Sequence, residues 1–240
     1  MKKFLLLLLI ITGLSYGKLG QALSFDGTDD YISFSTGVLS GSVTNGTVSA
    51  WVKYSSLASN PNQNSVVGFN SEACGAGGDQ AVLGRLPNNG FTGNGFGRYN
   101  SGWKFANTGV EPDLNSWYFI VGTWGSGGVK FYENGALKGT NADTSAMLGG
   151  GCIMVSSERN TGYVNGLIDD VRIYNRALSA AEVRQVYYGI PTTQYGLVGH
   201  WQLLGTSNNF APDISGKKNH GTLTNGPVRG ALSKSLKFRR

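Results

Sequence analysis

The chain has 240 residues and a formal net charge of +6; 40% of its residues are hydrophobic and only 14% are charged. This composition excludes a chain that is disordered throughout, because the apolar residues suffice for a buried core. The 37 glycines, many of them in Gly/Asn/Ser clusters, are typical of short strands joined by turns.

The first 17 residues predict a secretory signal peptide. Two lysines precede an apolar run from Phe4 to Ile11, and small residues follow at Ser15 and Gly17. The apolar run is too short to span a membrane comfortably. We therefore expect cleavage near Gly17, and a secreted, extracellular protein with no membrane span after cleavage.

The strands in the first half of the chain are predicted from short alternating runs. Residues 22–25 and 31–34 flank the acidic turn Asp26-Gly-Thr-Asp-Asp30, and residues 48–54 alternate in the same way. Further strands are expected at 65–69 and 80–85, and a strand pair within 91–109.

The second half begins with Trp117–Trp124, which is almost entirely apolar and therefore predicts a central strand. The dipeptide Asn134-Gly135 predicts a tight hairpin, because a type I′ turn needs positive φ at both positions. Another strand is expected at 152–156.

The segment from Gly166 to Val183 combines a strand with a capped helix. Residues 167–174 alternate between apolar and charged, and Ser179 followed by Glu182 is a capping-box signature, so a short helix is predicted at 180–187. About a dozen strands and one helix predict an all-β fold, a two-sheet antiparallel β-sandwich of the jelly-roll kind.

Three segments resemble one family in the same order along the chain. Gly166–Ser179 is similar to the closing strand of laminin G-like jelly-roll domains of the concanavalin A-like lectin/glucanase superfamily, Ala22–Ile32 to its early strand pair, and Thr47–Lys53 to the strand after that pair. The resemblance covers roughly residues 19–188. It implies the fold more than the function, because the fold serves lectins, adhesion modules and glycosidases alike.

Residues 191–240 form a basic tail. They hold seven of the 20 Lys and Arg residues but one of the 14 Asp and Glu residues, so the rest of the chain is neutral overall. We expect a solvated tail and no nucleic-acid binding, which would need basic residues on one folded face. Anionic glycans or cell-surface phosphates remain alternative partners.

The same tail resembles the opening strands of the family unit, which residues 18–190 lack. Tyr195–Trp201 and Asn219–Pro227 carry this resemblance. The tail either completes the sandwich as a permuted opening or begins a truncated second copy. The permuted arrangement is favoured, because it gives Trp201 and Leu223 something to pack against.

The two cysteines, Cys74 and Cys152, are predicted to form a disulfide. An even count in an oxidising compartment favours pairing, and the long loop would contribute about 4 kcal/mol in the chain-entropy model. Two separate thiols are the alternative.

Calcium is the cofactor that the resemblance implies, in a structural role. The acid that matches Asp169 in related laminarinase-type glycosidases helps to bind a structural calcium ion. Asp26 is a second candidate ligand if the first and closing strands lie side by side. Salt bridges, for instance to Arg172 or Arg176, or solvated turn acids are the alternatives.

A ligand site is predicted at Arg98, Tyr99, Asn100 and Trp103. This stretch mixes aromatic rings with hydrogen-bonding side chains, as sugar-binding surfaces do. Ordinary core and turn packing is the alternative.

No catalytic residues are predicted. The glutamates before Glu182 are isolated in sequence, and Asp169 and Asp170 are neighbours that a regular strand would point to opposite faces. We therefore predict a non-catalytic module that recognises carbohydrate or a cell-surface protein through its loops. The alternative is a structural or adhesion subunit that acts through protein contacts without glycan binding.

Overall fold

The computed structural model describes residues 21–34, 37–39, 42–58, 63–70, 79–87, 91–99, 101–148, 151–157, 161–191, 194–204 and 209–230. The predicted signal peptide at 1–17, Cys74, Asn100 and residues 231–240 lie outside the described residues.

Within the described residues, 18 strands and one helix make up the fold. The strands are β1 (Ala22–Asp26), β2 (Tyr31–Phe34), β3 (Ser42–Val43), β4 (Gly46–Ser56), β5 (Asn64–Asn70), β6 (Asp79–Arg85), β7 (Asn94–Tyr99), β8 (Trp103–Asn107), β9 (Trp117–Trp124), β10 (Val129–Glu133), β11 (Ala136–Asn141), β12 (Met147–Leu148), β13 (Ile153–Val155), β14 (Asn165–Tyr174), β15 (Leu197–Trp201), β16 (Phe210–Ala211), β17 (Gly221–Thr224) and β18 (Val228–Gly230), and the helix is α1 (Ala180–Tyr187).

The strands form two antiparallel sheets of eight strands each. The first sheet has the order β11-β10-β9-β4-β14-β1-β18, with β15 paired to the far half of β14, and the second has the order β16-β17-β2-β13-β5-β6-β7-β8. β3 and β12 form a separate two-stranded ribbon. The apolar inner faces of the two sheets share one core, which confirms the predicted β-sandwich.

β9 illustrates why one strand is apolar on both faces. Ile120 and Trp124 belong to the core between the sheets, whereas Phe119 and Val121 point outward and pack with Val183 of α1. β9 lies between β10 and β4, so the prediction of a central strand is confirmed.

The local turn and cap predictions are also confirmed. Asn134 and Gly135 have φ values of 51° and 79° and join β10 to β11. α1 begins after Ser179, whose side chain accepts a hydrogen bond from the backbone N–H of Glu182, while the Glu182 carboxylate accepts one from the Ser179 N–H. No helix among the described residues has the length and apolar character needed to cross a membrane.

The tail contributes strands to both sheets. β15 pairs with β14, β17 with β2, and β18 with β1. Trp201, Leu203 and Leu223 from these segments are buried in the main core. The tail strands β15, β17 and β18 therefore belong to the same sandwich as β1, β2 and β14.

Cys152 is buried directly before β13. Its predicted partner Cys74 is outside the described residues, so the disulfide stays a prediction.

Candidate functional site

Two of the predicted ligand-binding residues meet on the outer face of the β7–β8 hairpin. Tyr99 and Trp103 are cross-strand partners, and their rings contact edge to face with centroids 5.8 Å apart. Tyr99 is 50% exposed, so one aromatic ring of this pair faces solvent.

The rings beneath this pair fix its position. Trp103 stacks on Phe105 with a centroid distance of 5.4 Å, and Phe105 contacts Phe91 at 4.4 Å. Gly97 makes room for the Phe105 ring, because a Cβ at Gly97 would lie 2.4 Å from a ring carbon. We call Phe91, Tyr99, Trp103 and Phe105 the aromatic patch.

Arg98 is not part of this patch. Successive side chains of a strand point to opposite faces, and the Arg98 side chain is buried on the inner side, where its Nη2 donates to the Ser145 carbonyl oxygen. Its Nη1 lies 3.5 Å from Asp143 Oδ2, and burial lowers the pKa of the Arg98 guanidinium. Arg98 therefore holds the 143–145 segment rather than an outer-face ligand.

Asp169 lies on β14 opposite Trp51 and is almost fully buried. Its Oδ1 accepts hydrogen bonds from the backbone N–H groups of Asp170, at 2.6 Å, and Leu203, at 3.1 Å. These two bonds stabilise the negative charge and link β14 to the residues that follow β15.

Asp26 lies in an acidic turn at the end of β1. Carboxylate oxygens of Asp26, Asp29 and Asp30 all lie within 4.8 Å of one another. Asp26 Oδ1 accepts from the Thr28 and Asp29 N–H groups, and Asp30 Oδ2 accepts from the Asp26 N–H. Burial raises the pKa of Asp30, and the neighbouring carboxylates raise it further.

The two predicted metal ligands are not brought together. β1 and β14 do lie side by side, but Asp26 is opposite Asn165, four residues from Asp169 on β14. At about 3.3 Å per residue this is about 13 Å along the strand, too far for Asp26 and Asp169 to bind one ion directly.

The sequence did not predict a charged cluster around Asp170. This residue lies at an irregularity of β14 with a φ of 52°. Its carboxylate accepts hydrogen bonds from Arg172 Nε at 3.1 Å and Nη2 at 3.0 Å, and lies 2.6 Å from His200 Nε2. The i, i+2 spacing of Asp170 and Arg172 could have predicted their pairing, because both side chains then lie on the same face of a strand. No sequence feature indicated that His200, which comes from the tail, would join them.

The glutamates at the opposite end of the core make separate contacts. Glu133 Oε2 accepts from Asn94 Nδ2 at 2.8 Å, and burial raises the pKa of Glu133. Glu111 forms a two-bond ion pair with Arg85. Each carboxylate thus has its own protein partner, as expected of structural acids.

A family model described as the concanavalin A-like lectin/glucanases superfamily matches residues 26–184. No curated protein matches the sequence.

Three solved structures share the fold at low sequence identity. A proposed carbohydrate binding protein from Bacteroides ovatus has 16% identity and a TM-score of 0.67 over 89% of this chain, which spans 60% of that protein's length. Domain 4 of AbnA, a GH43 extracellular arabinanase from Geobacillus stearothermophilus in complex with arabinotriose, has 21% identity and a TM-score of 0.59, covering 71% of this chain and 78% of that one. A heptameric SAP-like pentraxin from Limulus polyphemus has 18% identity and a TM-score of 0.54, covering 70% and 82%.

Proposed function

Because the chain belongs to the concanavalin A-like lectin/glucanases superfamily, we propose that it is a non-catalytic module that binds carbohydrate at the aromatic patch. The observation that carries the proposal is the half-exposed ring of Tyr99, held edge to face against Trp103. The structures of similar fold make carbohydrate the first ligand class to test, since one is a proposed carbohydrate binding protein and another is a domain in complex with arabinotriose.

The mechanism is recognition by a rigid surface. The C–H face of a sugar ring would pack on the exposed aromatic surface, and water would be released from both. Since Trp103 and Phe105 already stack in the protein, little side-chain entropy would be lost on binding.

A glycan array followed by titration of the strongest hit tests this proposal. We expect Tyr99→Ala to weaken binding about 3- to 10-fold, the effect of losing one aromatic contact. Tyr188→Ala is the matched control, because Tyr188 is 56% exposed on another part of the surface and should leave the affinity unchanged. An array without a hit among neutral and anionic glycans would instead favour the adhesion subunit that acts through a cell-surface protein.

We also propose a structural calcium ion, bound by the Asp26 turn. Three carboxylates within 4.8 Å repel one another, and a hard cation with oxygen ligands would relieve this repulsion. Asp169 fits an ion less well, because its buried carboxylate is already stabilised by two backbone N–H groups. The ion would brace the turn between β1 and β2 and take no part in a reaction.

Thermal unfolding in EDTA and in excess calcium tests the metal proposal. Calcium should raise Tm by mass action, and Asp26→Asn should abolish the rise. Asp169→Asn should lower Tm but keep the calcium-dependent rise; loss of that rise would assign the ion to Asp169. An identical Tm with EDTA and calcium would remove the calcium site.

Export and a Cys74–Cys152 disulfide complete the proposal. The basic and apolar start of the sequence supports export, and the even cysteine count supports the pairing in an oxidising compartment. Mass spectrometry of the exported chain should find an N-terminus near residue 18 and thiols that alkylate only after reduction. Alkylation without reduction would refute the disulfide.

A further inference from the structure

A pocket of about 260 Å³ lies at the end of the sandwich where β4 begins and β14 ends. Its walls come from three separate parts of the chain: the connection between β2 and β4, the residue after β14, and the tail strand β15. The lining residues are Val38, Leu39, Val43, Thr44, Asn45, Asn175 and Val198.

The lining combines an apolar base with a polar rim. Val38, Leu39 and Val43 are buried members of the main core, and Val198 packs against that core. Thr44, Asn45 and Asn175 are exposed. None of the lining residues is ionisable, so a charged ligand would lose hydration there without gaining a counter-charge.

Two rim side chains have hydrogen-bonding groups that form no hydrogen bond with any described residue. The Asn175 side chain makes no hydrogen bond within the part of the chain that the structure describes, and for Asn45 the single such bond is from its Nδ2 to Thr44 Oγ1 at 3.0 Å. Side-chain amides both donate and accept, which matches the hydroxyl groups of a polyol.

Hydrogen bonds hold the backbone at three of the lining residues. The Val43 carbonyl oxygen accepts from Trp124 Nε1 at 3.3 Å, the Asn175 N–H donates to the Gly196 carbonyl at 2.8 Å, and the Val198 carbonyl accepts from Asn219 Nδ2 at 2.7 Å. A preformed site loses less conformational entropy on binding than one that must be assembled.

We infer that this pocket binds one neutral sugar residue, with hydroxyl groups on Asn45 and Asn175 and the C–H face on the valines. Its volume is below the roughly 300–1,000 Å³ of sites for drug-sized ligands, which fits a single ring rather than a chain. The inference rests on the proposed function and adds a second site, at the end of the sandwich where β4 begins and separate from the aromatic patch.

Methyl glycosides of arabinose, xylose, glucose and galactose are the probes, and the methyl glycoside of glucuronic acid is their charged counterpart. Saturation-transfer NMR identifies which of them binds, and titration gives Kd. We expect Asn175→Ala and Asn45→Ala each to weaken the neutral glycoside about 2- to 10-fold, the effect of one or two lost hydrogen bonds. Both residues are exposed, so both variants should fold.

Gln185→Ala, which removes an exposed amide from α1, should leave this Kd unchanged. Unchanged Kd in both Asn variants, or tighter binding of the glucuronide, would overturn the inference. Absence of glycoside binding together with Tyr99-dependent hits on the array would overturn the pocket and leave the proposed function standing. Absence of both glycoside binding and array hits would overturn the pocket and the proposed carbohydrate-binding function together.

Discussion

At the scale of single residues, Asp170 carries a buried charge that two other side chains contact. Its buried carboxylate is shared between Arg172 and His200, and its left-handed backbone conformation (φ 52°) is uncommon for a residue other than glycine. Removing one partner of a buried ion pair leaves an uncompensated charge behind.

We predict that Asp170→Ala lowers the free energy of unfolding by about 3–5 kcal/mol, because Arg172 would stay largely buried without its counter-charge. Urea unfolding at pH 7 measures the change. Asp113→Ala is the control, since Asp113 is exposed and its loss should cost less than about 0.5 kcal/mol. Equal effects of the two substitutions would contradict this account of Asp170.

The candidate site was only partly predictable from residues. Tyr99 and Trp103 were expected together, and the structure pairs them. Arg98 was grouped with them through proximity in sequence, although the alternation of a strand places its side chain on the opposite face. The acidic turn at Asp26 could be predicted because its carboxylates lie within five consecutive residues. The Asp170–His200 contact could not, because it joins two strands whose pairing the sequence does not indicate.

At the scale of elements, the helix α1 and the β10–β11 hairpin were predicted from local signals. The hydrogen bonds of a capping box and of an Asn-Gly turn join residues within four positions of each other. Tertiary contacts therefore seldom change these local structures. The Glu182 carboxylate adds a contact from outside the helix, accepting from Arg176 Nη2 at 2.7 Å.

We predict that Glu182→Gln destabilises the protein by about 0.5–1 kcal/mol at pH 7. Gln can still accept the capping-box hydrogen bond, but it loses the negative charge that pairs with Arg176. The hydrogen bond from Arg176 lowers the pKa of Glu182 to about 2 from its ordinary value of 4.5. A depressed pKa contributes stability above pH 4.5 that is lost as the pH falls towards 2.

The difference between wild type and Glu182→Gln should therefore shrink over that pH window, as followed by urea unfolding. Gln185→Glu on the same helix is the control, and its stability difference from wild type should show no comparable dependence on pH. A difference that stays constant from pH 7 to pH 2.5 would mean that the carboxylate charge is not involved.

At the scale of the whole molecule, the fold depends on strands from the tail. Sequence patterns predicted a sandwich but left open whether residues 191–240 complete it or begin a second copy, because β17 and β2 pair across nearly the entire chain. Pairing between such distant segments leaves no local signal. The apolar residues Trp201, Leu203 and Leu223, which are buried in the main core, were the sequence feature that favoured completion of the sandwich.

We predict that limited proteolysis of the native protein does not release the residues beyond Ile190 ahead of the rest. Trp201→Ala should lower the free energy of unfolding by about 3–5 kcal/mol, since Trp201 is fully buried. Val228→Ala, at a position 64% exposed, is the control and should have little effect. Rapid loss of the tail from an intact remainder would contradict the pairing.

The pairing of β1 with β18, in which Ala22 lies opposite Gly230, has a consequence for how the protein is made. A ribosome synthesises β1 some 200 residues before its partner, and the core stays open until β15 and β17 have emerged. Contacts of such long sequence separation slow folding and leave unpaired strand edges exposed to other chains in the meantime. We therefore expect the sandwich to close only after the tail has been synthesised, with the unpaired edges of β1 and β2 open to other chains until then.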